Sequence, residues 1–148
     1  MKIAIGADHA GFEYKQVIVS YLQEQGYEVM DFGTDSSEVS DYPDFAVLVA
    51  KAVSMEKAEF GILICGTGIG MSIAANKVKG VRAAVVSSTF TAEFSKTHNH
   101  ANVITFGSRV NSIEEVLAFL EIYMKTSKSS EERHQTRVDK IRKYEDAE

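Results

Sequence analysis

Cys65 is the only cysteine of the chain, and it stands where the apolar run Ile62-Leu63-Ile64 meets the turn Gly66-Thr67-Gly68-Ile69-Gly70. The run reads as a buried parallel strand, Phe60 to Cys65, and Ile69 to Asn76 reads as a short helix. The thiol is therefore expected at the carboxyl end of a strand beside a helix N-terminus, where free N–H groups favour an anion. That setting suits a catalytic thiol with a backbone-amide cradle for an oxyanion or enediolate. A lone cysteine among aliphatic residues is equally ordinary core filler. Better-known motifs fail on spacing. The phosphate loop G-x-x-x-x-G-K-[ST] is absent, and glycines 66, 68 and 70 do not make the dinucleotide fingerprint G-x-G-x-x-G. No second cysteine exists for C-x-x-C or a zinc quartet. Met71 stands where a cysteine-phosphatase loop carries its arginine.

The elements around this turn are legible from periodicity. Lys2 to Gly6, Glu28 to Phe32, Phe60 to Cys65, Val81 to Val86 and Val103 to Phe106 read as strands. Between them, Phe12 to Gln25, a segment from Asp41 to about Met55, Phe90 to about His98, and Ile113 to Lys125 read as helices. Asp41 is expected to cap the second of these, with Pro43 in its first turn. Such alternation predicts an α/β, three-layer Rossmann-like fold: a five-stranded parallel sheet covered on both faces, plus an extra C-terminal helix. Ligands of such sheets bind at the carboxyl ends of the strands. Asp8 and His9 follow the first strand, Cys65 and Thr67 the third, and Arg109 the fifth. His98-Asn99-His100 precedes the fifth, and the whole set is expected to converge on one rim. Asp31, ending the second strand, imitates the ribose-binding acid of dinucleotide folds, but the first loop has only Gly6 and Gly11 and lacks the middle glycine.

With 148 residues, 45% of them hydrophobic and 25% charged, the chain predicts one domain over its whole length. A net charge of −5 argues against nonspecific nucleic-acid binding, so an anionic ligand would need a local basic cluster. No stretch approaches a membrane span of about 20 apolar residues, and the first residues are too strand-like for a signal peptide. A single cysteine rules out an internal disulfide and suits a reducing, cytoplasmic setting.

After the polar break 125–130, a last helix is expected from Glu131 to about Tyr144. Arg133 and Arg137 share one of its faces, with no carboxylate three or four residues away to offset them. They suit a two-pronged phosphate clamp, or else a solvated or ion-paired face. Val138, Ile141 and Tyr144 form a partial apolar stripe. Because the sheet is complete before this helix begins, it is expected to pack on a neighbouring subunit.

Across nearly its whole length the chain resembles the ribose-5-phosphate isomerase B family, which includes galactose-6-phosphate isomerase subunits. The residues that carry the resemblance are 6–11, Gly-Ala-Asp-His-Ala-Gly; 41–43, Asp-Tyr-Pro; 64–70; 74–77; His98-Asn99; 106–109; and Arg133-His134-Gln135-x-Arg137. The resemblance implies a metal-free, cofactor-free aldose–ketose isomerase of the pentose phosphate pathway, acting through a cis-enediolate. It further implies a homodimer, or a tetramer, with active sites at the subunit interface. Cys65 would be the base, Thr67 a proton relay between sugar oxygens, and Asn99 an oxyanion donor. His98, with Asp8, would open the sugar ring. His9, Arg109, Arg133 and Arg137 would hold the phosphate, with Tyr42 and the backbone of Gly66, Gly68, Ile69 and Gly70 completing the site. In another branch of the family a glutamate four residues after the Thr67 position is the base; Met71 stands there, so the thiol branch is indicated. Ribose 5-phosphate is the expected substrate. Galactose 6-phosphate, allose 6-phosphate and a non-catalytic sugar-phosphate-binding module are the alternatives.

Overall fold

Strand and helix alternate along residues 1–147, the part of the chain that the computed structural model describes. The order is β1 (Lys2–Ala7), α1 (Phe12–Glu24), β2 (Glu28–Asp31), α2 (Tyr42–Ser54), β3 (Phe60–Cys65) and α3 (Ile69–Ala75). Then come β4 (Ala83–Val85), α4 (Thr89–Thr97), β5 (Val103–Gly107), α5 (Ile113–Lys125) and α6 (Glu132–Ala147). The strands form one parallel sheet in the order β2-β1-β3-β5-β4, the predicted architecture.

Side chains alternate across each strand, so the sheet sorts its own core into two layers. Ile3, Ile5, Ile62, Ile64, Ile104 and Phe106 face α1 and α5, meeting Ile18, Leu22, Val116 and Leu120. Ala4, Leu63, Cys65 and Val103 face the other way, onto Val49 and Val53 of α2 and Met71 and Ala75 of α3. Each fully buried isoleucine contributes ~1.5–3 kcal/mol through burial. Winding reverses between β1 and β3, where Ala7 pairs with Ile64. The crevice of an open parallel sheet lies beyond that pair, and the next residues are Asp8 and Cys65.

Two local expectations are corrected. β4 is shorter than Val81 to Val86, because the Arg82 and Ala83 amides donate to the Asn102 and Asn76 side-chain oxygens, each at 2.7 Å, instead of a ladder. Asp41 occupies the N-cap of α2, but its carboxylate makes no capping hydrogen bond. Asp31, already a poor match to a ribose-binding acid, has structural partners instead. One of its oxygens pairs with the buried Lys15 ammonium at 2.7 Å, and the other accepts the Gly33 N–H at 2.9 Å.

Candidate active site

At the carboxyl edge, β3 delivers Cys65 into a niche where it is 5% exposed. Its Sγ accepts the Gly68 N–H at 3.1 Å, so a backbone donor already points at the sulfur. Gly68 can aim its amide there because its φ is +82°, the left-handed region that costs a side chain dearly. Its carbonyl accepts the Thr105 hydroxyl at 2.7 Å, and a Cβ on it would lie 3.0 Å from the Phe106 carbonyl carbon. Gly68→Ala is therefore expected to lower unfolding free energy by ~1–3 kcal/mol in urea titration, from strain at this turn. A change below about 0.5 kcal/mol would mean the turn relaxes freely.

The remaining predicted residues of this edge close around the thiol. Exposed Thr67 accepts the Ile69 N–H on Oγ1 at 3.2 Å. The Arg109 guanidinium lies over Gly66, where a Cβ would come within 2.9 Å of Nη1, and the Arg109 amide donates to the Gly66 carbonyl at 3.0 Å. Tyr42 covers Gly70 so closely that a Cβ there would sit 2.6 Å from Cζ. Asp8 is buried beside β3, its amide donating to the Ile64 carbonyl at 3.3 Å. Its Oδ1 accepts the Ala10 and Gly11 amides at 3.0 and 3.2 Å, an acid that shapes its own loop. Ser40, which sequence reasoning missed, holds His9 in place. His9 Nδ1 lies 3.1 Å from the Ser40 N–H and 3.2 Å from the Ser40 carbonyl, so Ser40 anchors that ring nitrogen in either tautomer. Met71 is fully buried in the core, out of reach of any substrate.

His98 and Asn99 do not join this rim, contrary to expectation, and Arg133 and Arg137 lie away from it too, as expected of a helix that serves a neighbouring subunit. A crossover helix leaves the carboxyl ends of a parallel sheet and returns to its amino ends. α4 does this, so the residues after it lie at the opposite edge. The Asn102 carbonyl accepts the Gly61 N–H at 2.9 Å, level with the base of β3 and about 13 Å below Cys65 at the usual rise per residue. α6 starts at this lower edge: the Ser129 amide donates to Thr97 at 3.1 Å, and His134 stacks on His98 with centroids 4.2 Å apart. A groove of about 950 Å³ opens here, lined by Asn99, Lys77, Arg82, Ile141 and Tyr144 among others. The predicted site residues of one chain therefore fall at two opposite edges of its sheet.

Two details of the last helix bear on its expected roles. His134 and Val138 are buried against their own chain, while Ile141 and Tyr144 stay 50% and 80% exposed. The apolar stripe is thus divided between its own domain and open surface. Arg133 is not without a carboxylate, since its Nε meets Glu131 Oε2 at 2.7 Å. That partner stands two residues away, at the helix entry, outside the three- and four-residue spacings. The signal that sequence reading overlooked was Phe90, Phe94 and His98, spaced four apart on one face of α4 and stacked in the structure.

Among the described residues no three His, Cys, Asp or Glu side chains are grouped to hold a metal ion, and no helix is long and apolar enough to cross a membrane.

A profile of the ribose/galactose isomerase family matches residues 3–141. Ribose-5-phosphate isomerase B of Escherichia coli K12 is 49% identical over 140 residues, covering 95% of this chain and 93% of that protein. The solved structure of ribose-5-phosphate isomerase B from Clostridium thermocellum superposes with a TM-score of 0.96 at 46% identity, covering 99% of each chain. That of the Mycoplasma genitalium enzyme with bound ribulose-5-phosphate gives a TM-score of 0.94 at 41% identity, covering 98% of this chain and 96% of that one.

Proposed function

The chain belongs to the ribose/galactose isomerase family, and from that premise we propose that it interconverts ribose 5-phosphate and ribulose 5-phosphate with Cys65 as the base. The observation that carries this reading is the thiol set in a glycine turn, with the Gly68 N–H on its sulfur and Arg109 across Gly66. The names of its relatives supply the sugar: one is a ribose-5-phosphate isomerase B, and another was solved with ribulose-5-phosphate bound.

His98, with Asp8, opens the furanose by acid–base catalysis. The Cys65 thiolate then takes the C2 proton and returns it to C1, through a cis-enediolate. A thiolate is a modest base toward carbon, so the oxyanion must be stabilised as it forms. In the free chain the Gly68 and Ile69 amides are engaged by Cys65 Sγ and Thr67 Oγ1. The Gly66 and Gly70 amides have no side-chain acceptor among the described residues, and with Asn99 they take the first share of the negative charge. Thr67 passes a proton between the two sugar oxygens. His9, Arg109, Arg133 and Arg137 hold the phosphate, and Tyr42 walls the sugar.

Because Cys65 and the His98-Asn99 pair lie at opposite edges of one sheet, a working site needs the upper edge of one copy and the lower edge of another. A homodimer is the smallest symmetric assembly that supplies both, and a tetramer can contain it. The enzyme works without metal or cofactor, in the cytoplasm, in pentose phosphate interconversion.

Incubation with ribose 5-phosphate in deuterated water tests the activity. Ribulose 5-phosphate carrying carbon-bound deuterium is the expected product, formed faster than the six-carbon ketose phosphates are formed from allose 6-phosphate or galactose 6-phosphate. Faster turnover of a six-carbon sugar would reassign the substrate. A thermal shift with no deuterium uptake would make the chain a sugar-phosphate-binding module.

A further inference from the structure

We propose that His134 is a positioning residue for His98, holding that imidazole in a column of aromatic rings in tilted contact, at 44°, 50° and 30° to one another along the column; the inference rests on the ring-opening reading of His98 given above. The column runs Phe90, Phe94, His98, His134, with successive centroids 4.4, 4.6 and 4.2 Å apart. The first three rings come from one face of α4, and the fourth crosses from α6 to close the stack at 30° to His98. Phe94 and His134 thus contact His98 from two sides and narrow the swing of its ring.

His134 is suited to this task and to little else. It is 4% exposed, whereas His98 remains half-buried and reaches solvent. Its Nδ1 is buried with no hydrogen-bond partner, and the nearest carboxylate oxygen, Glu131 Oε2, is 3.9 Å away and held by Arg133. The charged or titratable groups facing it are His98 from α4, Arg133 and Arg137 from its own helix, and Glu131 from the turn before. Burial first, then His98 and the arginines, lower the pKa of His134 against the opposing pull of Glu131. An uncharged ring does not compete for the proton that ring opening needs on His98, and its face supports an imidazolium stacked upon it.

The test compares ribose 5-phosphate with 4-deoxyribose 5-phosphate, which lacks the hydroxyl that closes the ring, using the full-length protein. His134→Ala is expected to lower kcat roughly tenfold on the ring-forming sugar and to leave the acyclic one within about twofold, a misplaced His98 being the cause. His134→Phe keeps a ring in the stack and is expected to recover to within about twofold of the parent. Equal losses of His134→Ala on both sugars, or His134→Phe as slow as His134→Ala, would overturn the proposal. His98→Asn is measured alongside. If it slows both sugars equally, the ring-opening reading itself falls and takes the proposal with it; if it is selective and His134→Ala is not, only the proposal falls. Should His134→Ala not fold, His134→Gln against His134→Phe decides on the same terms.

Discussion

Cys65→Ala protein is expected to keep its fold and its phosphate affinity while isomerising at least ~10³-fold more slowly, the loss due to a missing general base. The thiol lies at the edge of the core layer under α2 and α3, and its removal vacates one buried atom. It also leaves the Gly68 N–H without its sulfur acceptor. Together these cost about 1–2 kcal/mol, too little to unfold a typical domain. None of the groups assigned to the phosphate is touched. Cys65→Ser separates shape from basicity further: the hydroxyl can still accept the Gly68 N–H, yet it ionises far less readily. Both variants should therefore fail in deuterium exchange while their thermal shifts with ribose 5-phosphate match the parent's. Exchange surviving within tenfold in either would show that Cys65 is not the base, and the glycine turn would then have to serve a different proton acceptor.

A second large effect is expected from mixing two inactive proteins. One carries Cys65→Ala, the other Arg133→Ala with Arg137→Ala, and each alone should be nearly dead. If each site joins the upper edge of one chain to the lower edge of its partner, a mixed dimer holds one doubly damaged site and one wholly intact site. Random exchange at equal amounts makes half the dimers mixed, so about a quarter of the parent activity should return. The topology supports this outcome. The arginines enter on α6, whose first turn stacks on His98 at the amino edge, one strand length from Cys65 of the same chain. A mixture that stays dead after verified subunit exchange would place the arginines and the thiol of one chain in the same site, and the two-edge reading would fail.

Much of this site was readable before any coordinates. Cys65 ends a strand and Asp8, Thr67 and Arg109 follow one within two residues, and an apolar run that stops at a polar or glycine-rich turn marks a strand's carboxyl end by local pattern alone. The register of β1, β3 and β5 then brings them together, because parallel strands with short exits must end on the same side. His98 and Asn99 were misread for the complementary reason. They follow a helix rather than a strand, and the return leg of a crossover ends at the opposite edge; the alternation β4-α4-β5 already implied this.

Other features were decided only by tertiary packing. The Asn76 and Asn102 side chains take amides that a strand pattern would have assigned to β4. Glu131 meets Arg133 across a helix entry, where the spacing rule for helix faces does not hold. His134 lies beneath His98 although a whole strand and helix separate them in the chain. Periodicity records which face of an element seeks burial, and so it determined the sheet, its layers and the chemistry at its carboxyl edge. It does not record which distant ring fills a given gap, because that depends on the shape left when all the elements have packed.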